Sequence, residues 1–413
     1  MLIAINGQDF IRLQKLKIFF HDFGAYPFFF PLTEQLAERG HKVTHAYVNI
    51  LSIERNAVVS DLTRNHQRMP LKMPGDYHRI KYSFPKRFWM EWAYGRQLRS
   101  IVEAEQPDLI ISANAPTHIQ AQLQAAAATV GAKFIYWVQD FYSEAVRSLL
   151  QQKFGMPGSV IGSLFRQWER RQLLRSDGVL VITDAFREPL LQWGVPEAKI
   201  ETLENWAPIE SLPVLTQENS WSLEQGLDGK FCFLYSGSMG LKHNPDLLLS
   251  LAEKYRHDTD VKVVVVAEGS GADFLQEKAN ASALQETLIV LPMQPAERVP
   301  EVLATASVLI ATLEPEASHI CVPSKVLTYL CARRPLLLSI AGENLAAQTV
   351  NREGAGFTAE PNDREGFLAR ADELRQDPER CESMGRKARV YAEQAFQIEK
   401  IVDRFEGFLG RVL

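Results

Sequence analysis

Short apolar runs, each followed by a stretch of helical spacing, recur along this chain in two consecutive series. In the first, LKIFFHDF reads as a strand, and Phe29, Leu32, Leu36 and Ala37 recur at helical spacing before Gly40 closes the turn. Val43 to Val48 reads as the next strand. PDLIISAN, AKFIYWVQD and GVLVITD follow as further strands, with helices in HIQAQLQAAAATVG and AFREPLLQWGV between and after them. Runs this apolar are strands covered on both faces. That is the signature of a parallel sheet with right-handed helical crossovers. The second series opens at FCFLYSGS and continues through KVVVVAEGSG, LIVLPM, SVLIATLE and PLLLSIA, again with helices between. The intervening IESLPVLTQENSWSLEQGLDGK is polar and broken by proline and glycine, and reads as a linker. Two doubly wound α/β domains are expected.

Composition narrows the function. The chain has 413 residues, enough for two buried cores, and a net charge of −5 with no basic excess, so no nucleic-acid partner is expected. Cys232, Cys321, Cys331 and Cys381 show neither CxxC nor metal-type spacing and read as free thiols of a reducing compartment. MLIAINGQDFIRLQKLK lacks the apolar core of a signal peptide, and its first 14 residues yield no further reading. No apolar run is long enough to span a bilayer. A cytoplasmic protein is expected, peripheral at the inner face of the membrane.

Ligands of open parallel sheets bind beyond the carboxyl ends of the strands. In the second domain, YSGSMGLKHN offers Gly237 and Gly240 for close backbone approach, Ser238 as a donor and Lys242 for an anion. AEGSG adds Gly269 and Glu268, a carboxylate better suited to a sugar or ribose hydroxyl than to phosphate, or else a solvated turn residue. Met293 and Gln294 sit in LPMQP, a loop able to meet a nucleobase edge. In ATLEPEASHICVPSKVLTYLCARRP a helix is expected from about Pro323, which sets Ser324 and Lys325 at its N-terminus. Two anion-suited loops on one sheet edge point to a diphosphate. In the first domain His21, Asp22 and Gly24, then Asn114, then Gln139 and Asp140, end three strands. Asp140 could hold an acceptor hydroxyl or its proton, or cap the helix FYSEAVRSLL. There is no GxxxxGK[ST], no GxGxxG in the first strand–helix turn and no GxSxG, so a P-loop enzyme, a dehydrogenase and an α/β-hydrolase are unsupported, and no metal is expected.

LTEQLAERGHKVTHAYV, PDLIISANAP, FIYWVQDFYSEA, LLRSDGVLVITDAF, LYSGSMGLKHNPDLLLSLAE, VVVVAEGSGADFL, VPSKVLTYLCARRPLLLSI and GAGFTAEPNDREGFLARADEL together resemble the family-four retaining glycosyltransferases, most nearly the colanic-acid biosynthesis branch with its PSK loop. The resemblance implies the GT-B fold: two facing Rossmann-like domains, with a C-terminal helix crossing back to the first. Its divisions here are an acceptor domain (1–206), a linker (207–229), a nucleotide-sugar domain (230–390) and the returning helix (391–413). It implies transfer from a nucleotide-diphosphate sugar, with UDP the expected carrier, to a glycan or lipid-linked glycan acceptor in surface polysaccharide assembly. No other cofactor is implied. Donor contacts carry over to Gly237, Ser238, Lys242, Ser324 and Lys325, and the acceptor-side acid to Asp140. The chain departs from the family twice. Ser238 replaces the usual arginine, and the two glutamates separated by seven residues are Ile320 and Thr328 here. Glu314, Glu316 or His319 are the nearest substitutes. The missing glutamates keep two alternatives open: an epimerase or hydrolase of the same architecture, and a non-catalytic sugar-nucleotide binder.

HRIKYSFPKRFWMEWAYGRQLR (residues 78–99) and FRQWERRQLLR interleave basic and aromatic side chains. Such faces suit an anionic membrane surface, or else a packed helix pair with solvated charges.

Overall fold

The computed structural model describes residues 14–48, 65–74, 84–318 and 321–413. Two compact units result: Met1–Glu204 with Ile398–Leu413, and Asn205–Gln397.

The first unit holds a seven-stranded sheet in the order β3-β2-β1-β4-β5-β6-β7. Its strands are β1 (Lys17–Asp22), β2 (Lys42–Val48), β3 (His66–Leu71), β4 (Leu109–Ala113), β5 (Lys133–Val138), β6 (Gly178–Val181) and β7 (Ile200–Thr202). Every pairing is parallel. The helices are α1 (Phe29–Glu38), α2 (Phe84–Glu105), α3 (Thr117–Val130), α4 (Tyr142–Phe154), α5 (Met156–Arg175) and α6 (Arg187–Gln192). Strand order reverses between β1 and β4, so the loops after these two strands flank the switch point.

The second unit holds a six-stranded parallel sheet, β10-β9-β8-β11-β12-β13. Its strands are β8 (Phe231–Ser236), β9 (Val261–Val266), β10 (Leu288–Leu291), β11 (Val308–Thr312), β12 (Leu336–Ser339) and β13 (Gly356–Ala359). The helices are α7 (Ser220–Glu224), α8 (Pro245–Lys254), α9 (Ser270–Ala281), α10 (Val299–Thr305), α11 (Pro315–Ser318), α12 (Lys325–Cys331), α13 (Leu345–Glu353), α14 (Arg364–Gln376) and α15 (Pro378–Ala395). Phe233, Val263, Val265, Leu247, Leu251 and Phe367 meet in one buried cluster between sheet and helices. Here the switch point lies between β8 and β11.

The stretch expected as a linker is instead part of the second unit. Asn219 caps α7 by accepting from the amides of Trp221 and Ser222, while Ser222 Oγ accepts from the Asn219 amide. The Trp221 side chain is fully buried. The crossing back to the first unit comes later than expected. Residues 391–395 end α15, and α16 (Ile398–Val412) alone joins the first unit. There Phe405 stacks on Trp137 at 5.8 Å, and Glu406 pairs with Arg39 at 2.6 Å and with His41 at 3.1 Å. All four cysteines are free. Among the described residues no helix is long and apolar enough to cross a membrane.

Candidate functional site

In the second unit, β8 ends at Ser236 and the chain turns through Gly237, whose φ of +117° is strained for any residue with a Cβ. A Cβ built there would lie 3.5 Å from Lys325 Nζ, so the ammonium lies over the turn. Lys325 Nζ donates to the Ser238 carbonyl at 3.3 Å and sits 3.5 Å above the Tyr235 ring centroid. Tyr235 is fixed in turn by donating its hydroxyl to the same carbonyl at 2.9 Å. Tyr329, one turn beyond Lys325 on α12, bonds both the amide and the carbonyl of Ser236. The strand end, the glycine turn and the helix start are thus one braced unit.

Lys242 follows on the same loop, and its exposed side chain is close enough to act on its neighbours. Burial holds the Lys325 ammonium well below the usual lysine range, and the positive charge of Lys242 lowers it further. His243 is pushed down to about 4 by burial, then by Lys325 and Lys242. Its Nδ1 accepts from the Gly240 amide at 2.9 Å, which fits a neutral ring. Among the described residues neither lysine forms an ion pair. The loops on both sides of the switch point are tied together: Glu314 donates its amide to the Lys242 carbonyl at 2.8 Å, and the Thr312 hydroxyl bonds the His243 carbonyl. The result is a concentrated positive field over a glycine turn, with both its lysines unpaired among the described residues. It is suited to a dianion.

The other expected donor residues fall unevenly. Gly269, with φ +113°, presses on the Met239 carbonyl, and the Glu268 carbonyl accepts from the Met239 amide at 2.8 Å, so AEGSG buttresses the glycine turn. The Glu268 side chain is exposed. Gly240 has its amide taken by His243 and has room for a Cβ, so it offers no special approach. The helix begins at Lys325 rather than Pro323. Ser324 is its exposed N-cap and makes no side-chain capping bond, and Pro323 and Thr328 are half-buried. Gln294 lies at the end of β10, two strands from β8, where its amide accepts from Trp221 Nε1 and donates to the Pro292 carbonyl. That makes Gln294 a brace for α7. Met293 beside it is half-buried. His319 lies outside the described residues. Sequence reasoning missed His243, Tyr235 and Tyr329, whose only signal was adjacency to the glycine turn and the PSK loop.

In the first unit the expected acceptor residues at the switch point are largely structural. His21 is fully buried between Ser112 Oγ (3.1 Å) and Tyr94 Oη (3.2 Å), and burial pushes it down to about 3. Asp22 is also fully buried. Its carboxylate accepts from the amides of Gly24 and Tyr26, and burial pushes it up to about 7 against those bonds. Gly24 is exposed, with no space for a Cβ beside the Tyr26 ring. Asn114, at φ +48°, donates to Tyr26 Oη at 2.9 Å and ties the two switch-point loops. Gln139 is buried and Asp140 exposed. Asp140 does not cap the next helix, because α4 starts at Tyr142 with Phe141 as its N-cap.

The N-terminus of α4 is satisfied instead by Glu169, a buried acid on α5. It accepts from Ser143 Oγ at 2.6 Å, from the Ser143 amide at 3.3 Å and from Tyr136 Oη at 3.3 Å. Burial pushes Glu169 up to about 7, so the folded state holds its proton more tightly than the unfolded chain. Stability from this group is complete below about 4.5, the ordinary value, and is lost as pH rises towards about 7. Glu169→Gln keeps the acceptor without the charge. Its thermal midpoint relative to wild type should therefore climb between those two pH values. A difference independent of pH would contradict the assignment.

Residues 24–206 match the glycosyl transferase 4-like domain, and residues 218–391 match glycosyl transferases group 1. The chain belongs to the glycosyltransferases. No curated protein matches this glycosyltransferase by sequence. Among solved structures, Anabaena HepE in complex with UDP-glucose aligns with a TM-score of 0.69 at 12% identity, covering 96% of this chain and 99% of that one. Sucrose-phosphate synthase from Thermosynechococcus elongatus aligns with a TM-score of 0.70 at 12% identity, covering 95% and 98%. A glycosyltransferase from Rickettsia africae gives 0.67 at 14% identity, covering 97% and 99%. These likenesses establish the GT-B fold for this glycosyltransferase.

Proposed function

We propose that this glycosyltransferase moves a sugar, with retention at the anomeric carbon, from a nucleotide-diphosphate sugar, UDP-linked, to a glycan or lipid-linked glycan. The motif resemblance to the colanic-acid branch supports a role in surface polysaccharide assembly at the inner face of the membrane. The observation that carries the reading is the Lys325 ammonium, half-buried over the Gly237 turn, with the charge of Lys242 acting on it and neither lysine in an ion pair among the described residues. A donor pyrophosphate laid across this turn supplies the missing counter-charge. As the bond from sugar to diphosphate lengthens, negative charge grows on the leaving oxygen, and the two ammonium groups stabilise it most where it is greatest. The proposed chemistry needs no metal, because the positive field comes from the protein. Asp140, exposed at the end of β5, is proposed on the acceptor side, where it takes up or orients the acceptor hydroxyl proton.

Two measurements test this. UDP and UDP-sugars should raise the thermal midpoint, whereas uridine alone should not. NMR of the product should show the anomeric configuration of the donor. An inverted product overturns the retaining step, and product formed without any acceptor favours a hydrolase or epimerase.

A further inference from the structure

Helices α4 and α5 form an antiparallel hairpin that turns at Gly155, with φ +63°. The faces of α5 are allotted in an unusual way. Gly158 and Gly162 are buried against α4, and a Cβ on Gly162 would come within 2.6 Å of the Arg147 Cα. Gly158 leaves no room for a Cβ against the Leu150 carbonyl. The smallest residues thus line the helix–helix contact while the large apolar ones face out. Leu149, Phe154, Met156, Val160, Ile161 and Leu164 are all exposed, Met156 to 82%. Residues 151–157 form an unbroken exposed run at the turn. Exposing this much contiguous apolar surface in water is unfavourable, so it marks a contact with an apolar phase.

Charge identifies the phase. Residues 142–175 carry six basic and two acidic side chains in a chain whose net charge is −5. Of the two acids, Glu169 is buried and Glu144 is paired with both Arg147 and Arg166. The hairpin therefore shows an apolar tip with Lys153 beside it, and Arg166, Arg170 and Arg171 follow roughly three to four turns further along α5. This is the pattern of an element that sinks its tip among acyl chains and sets its cations at anionic headgroups. We propose that the α4–α5 hairpin is the membrane-docking element, and that its occupant is a bilayer containing anionic lipid. This rests on the lipid-side reading of the acceptor and relocates the contact. Residues 78–83 of the basic-aromatic stretch lie outside the described residues. In the remainder Met90, Tyr94 and Leu98 are core, and Trp89 and Trp92 are exposed.

The test is flotation of the full chain with vesicles of phosphatidylcholine, with and without phosphatidylglycerol as the minor component. Wild type should float with the anionic vesicles. The double variant Phe154→Ser with Met156→Ser should partition at least about tenfold less, with an unchanged thermal midpoint. Leu223→Ser, which removes an exposed apolar side chain from the second unit, should float like wild type. Equal flotation of the double variant, or none by wild type, overturns the proposal. So does concentration-dependent self-association that the double variant abolishes while wild type fails to float, because that would make a second copy the occupant. Donor-induced thermal shifts need no lipid, so a failure here and a failure of the transfer reading are told apart.

Discussion

Replacing Lys325 with methionine should lower transfer by about 10²–10³-fold at saturating donor and should leave the protein at least as stable as wild type. The two halves of this expectation share one cause. In the free protein the ammonium is held half-buried, over a glycine turn and near a second cation, and its own affinity for the proton falls as a result. Methionine fills much of the same space without charge, so the unfavourable burial disappears. The transition state loses one of the two ammonium groups proposed to stabilise it. A diphosphate reverses the electrostatics: it favours the charged form of Lys325, so donor binding takes up a proton wherever the free lysine has begun to lose it. Donor KM should therefore rise with pH earlier than for a site built on an ordinary lysine, and Lys325→Arg, whose charge does not titrate, should flatten that rise. Lys242→Ala should show a smaller loss, because its side chain is exposed. Steady-state kinetics across pH and a melting curve read both halves. A Lys325→Met variant that melts earlier and turns over normally would make Lys325 a structural residue.

What was legible in the sequence followed the strength of the apolar signal. The inner strands of both sheets stand out because they are covered on both faces, as in VKVVVV of β9 and LIISA of β4. Of the edge strands only β10, read from LIVLPM, stood out in the same way. β3 reads HQRMPL, half polar and broken by Pro70, which an edge tolerates because one side needs no donor. β7 and β13 have three and four residues, too short for any period to register. The glycine turn and the PSK loop stood out because glycine, lysine and a helix start fall together at strand ends, although a plain strand–helix turn or an ordinary cap carries the same residues. Their bracing was not found, since nothing in the residue types of Tyr235, Tyr329 and Met239 marks which group each one holds. The opposite error befell His21 and Asp22. Residues suited to chemistry at a strand end proved to be fully buried, Asp22 holding the turn that follows and His21 bonded to Ser112 and Tyr94. Glu169 was hidden among arginines in FRQWERRQLLR. A partial signal existed, because Gly158, Gly162, Glu169 and Leu173 fall on one helical stripe, and that stripe is the buried face.

Phe405→Ala should cost about 3–5 kcal/mol of stability in the first unit and release the C-terminal helix from it. Few other side chains in α16 carry as much of its docking. Phe405 is fully buried and stacks on Trp137, whose ring also meets the edges of Phe20 and Phe29 at the centre of the first sheet. The polar contacts at the rim are weaker supports. Asp403 and Glu406 pair with Arg39 at half-exposed positions, where such pairs are worth roughly 1 kcal/mol or less. Arg39→Ala should therefore be mild where Phe405→Ala is severe. The floor beneath the helix matters as much. At Gly178 on β6 a Cβ would meet the Phe408 ring at 2.6 Å and Val412 at 2.9 Å, so Gly178→Val should displace α16 as effectively as losing Phe405. Hydrogen exchange resolves the outcome. Amides of Ile398–Val412 should lose protection in Phe405→Ala and Gly178→Val, while those of β9 and α8 in the second unit stay protected. If exchange rises evenly through both units, the helix belongs to one cooperative whole and does not dock separately. If it stays local, a short amphipathic helix is what the last residues contribute to the first sheet, held by one aromatic stack over a glycine floor.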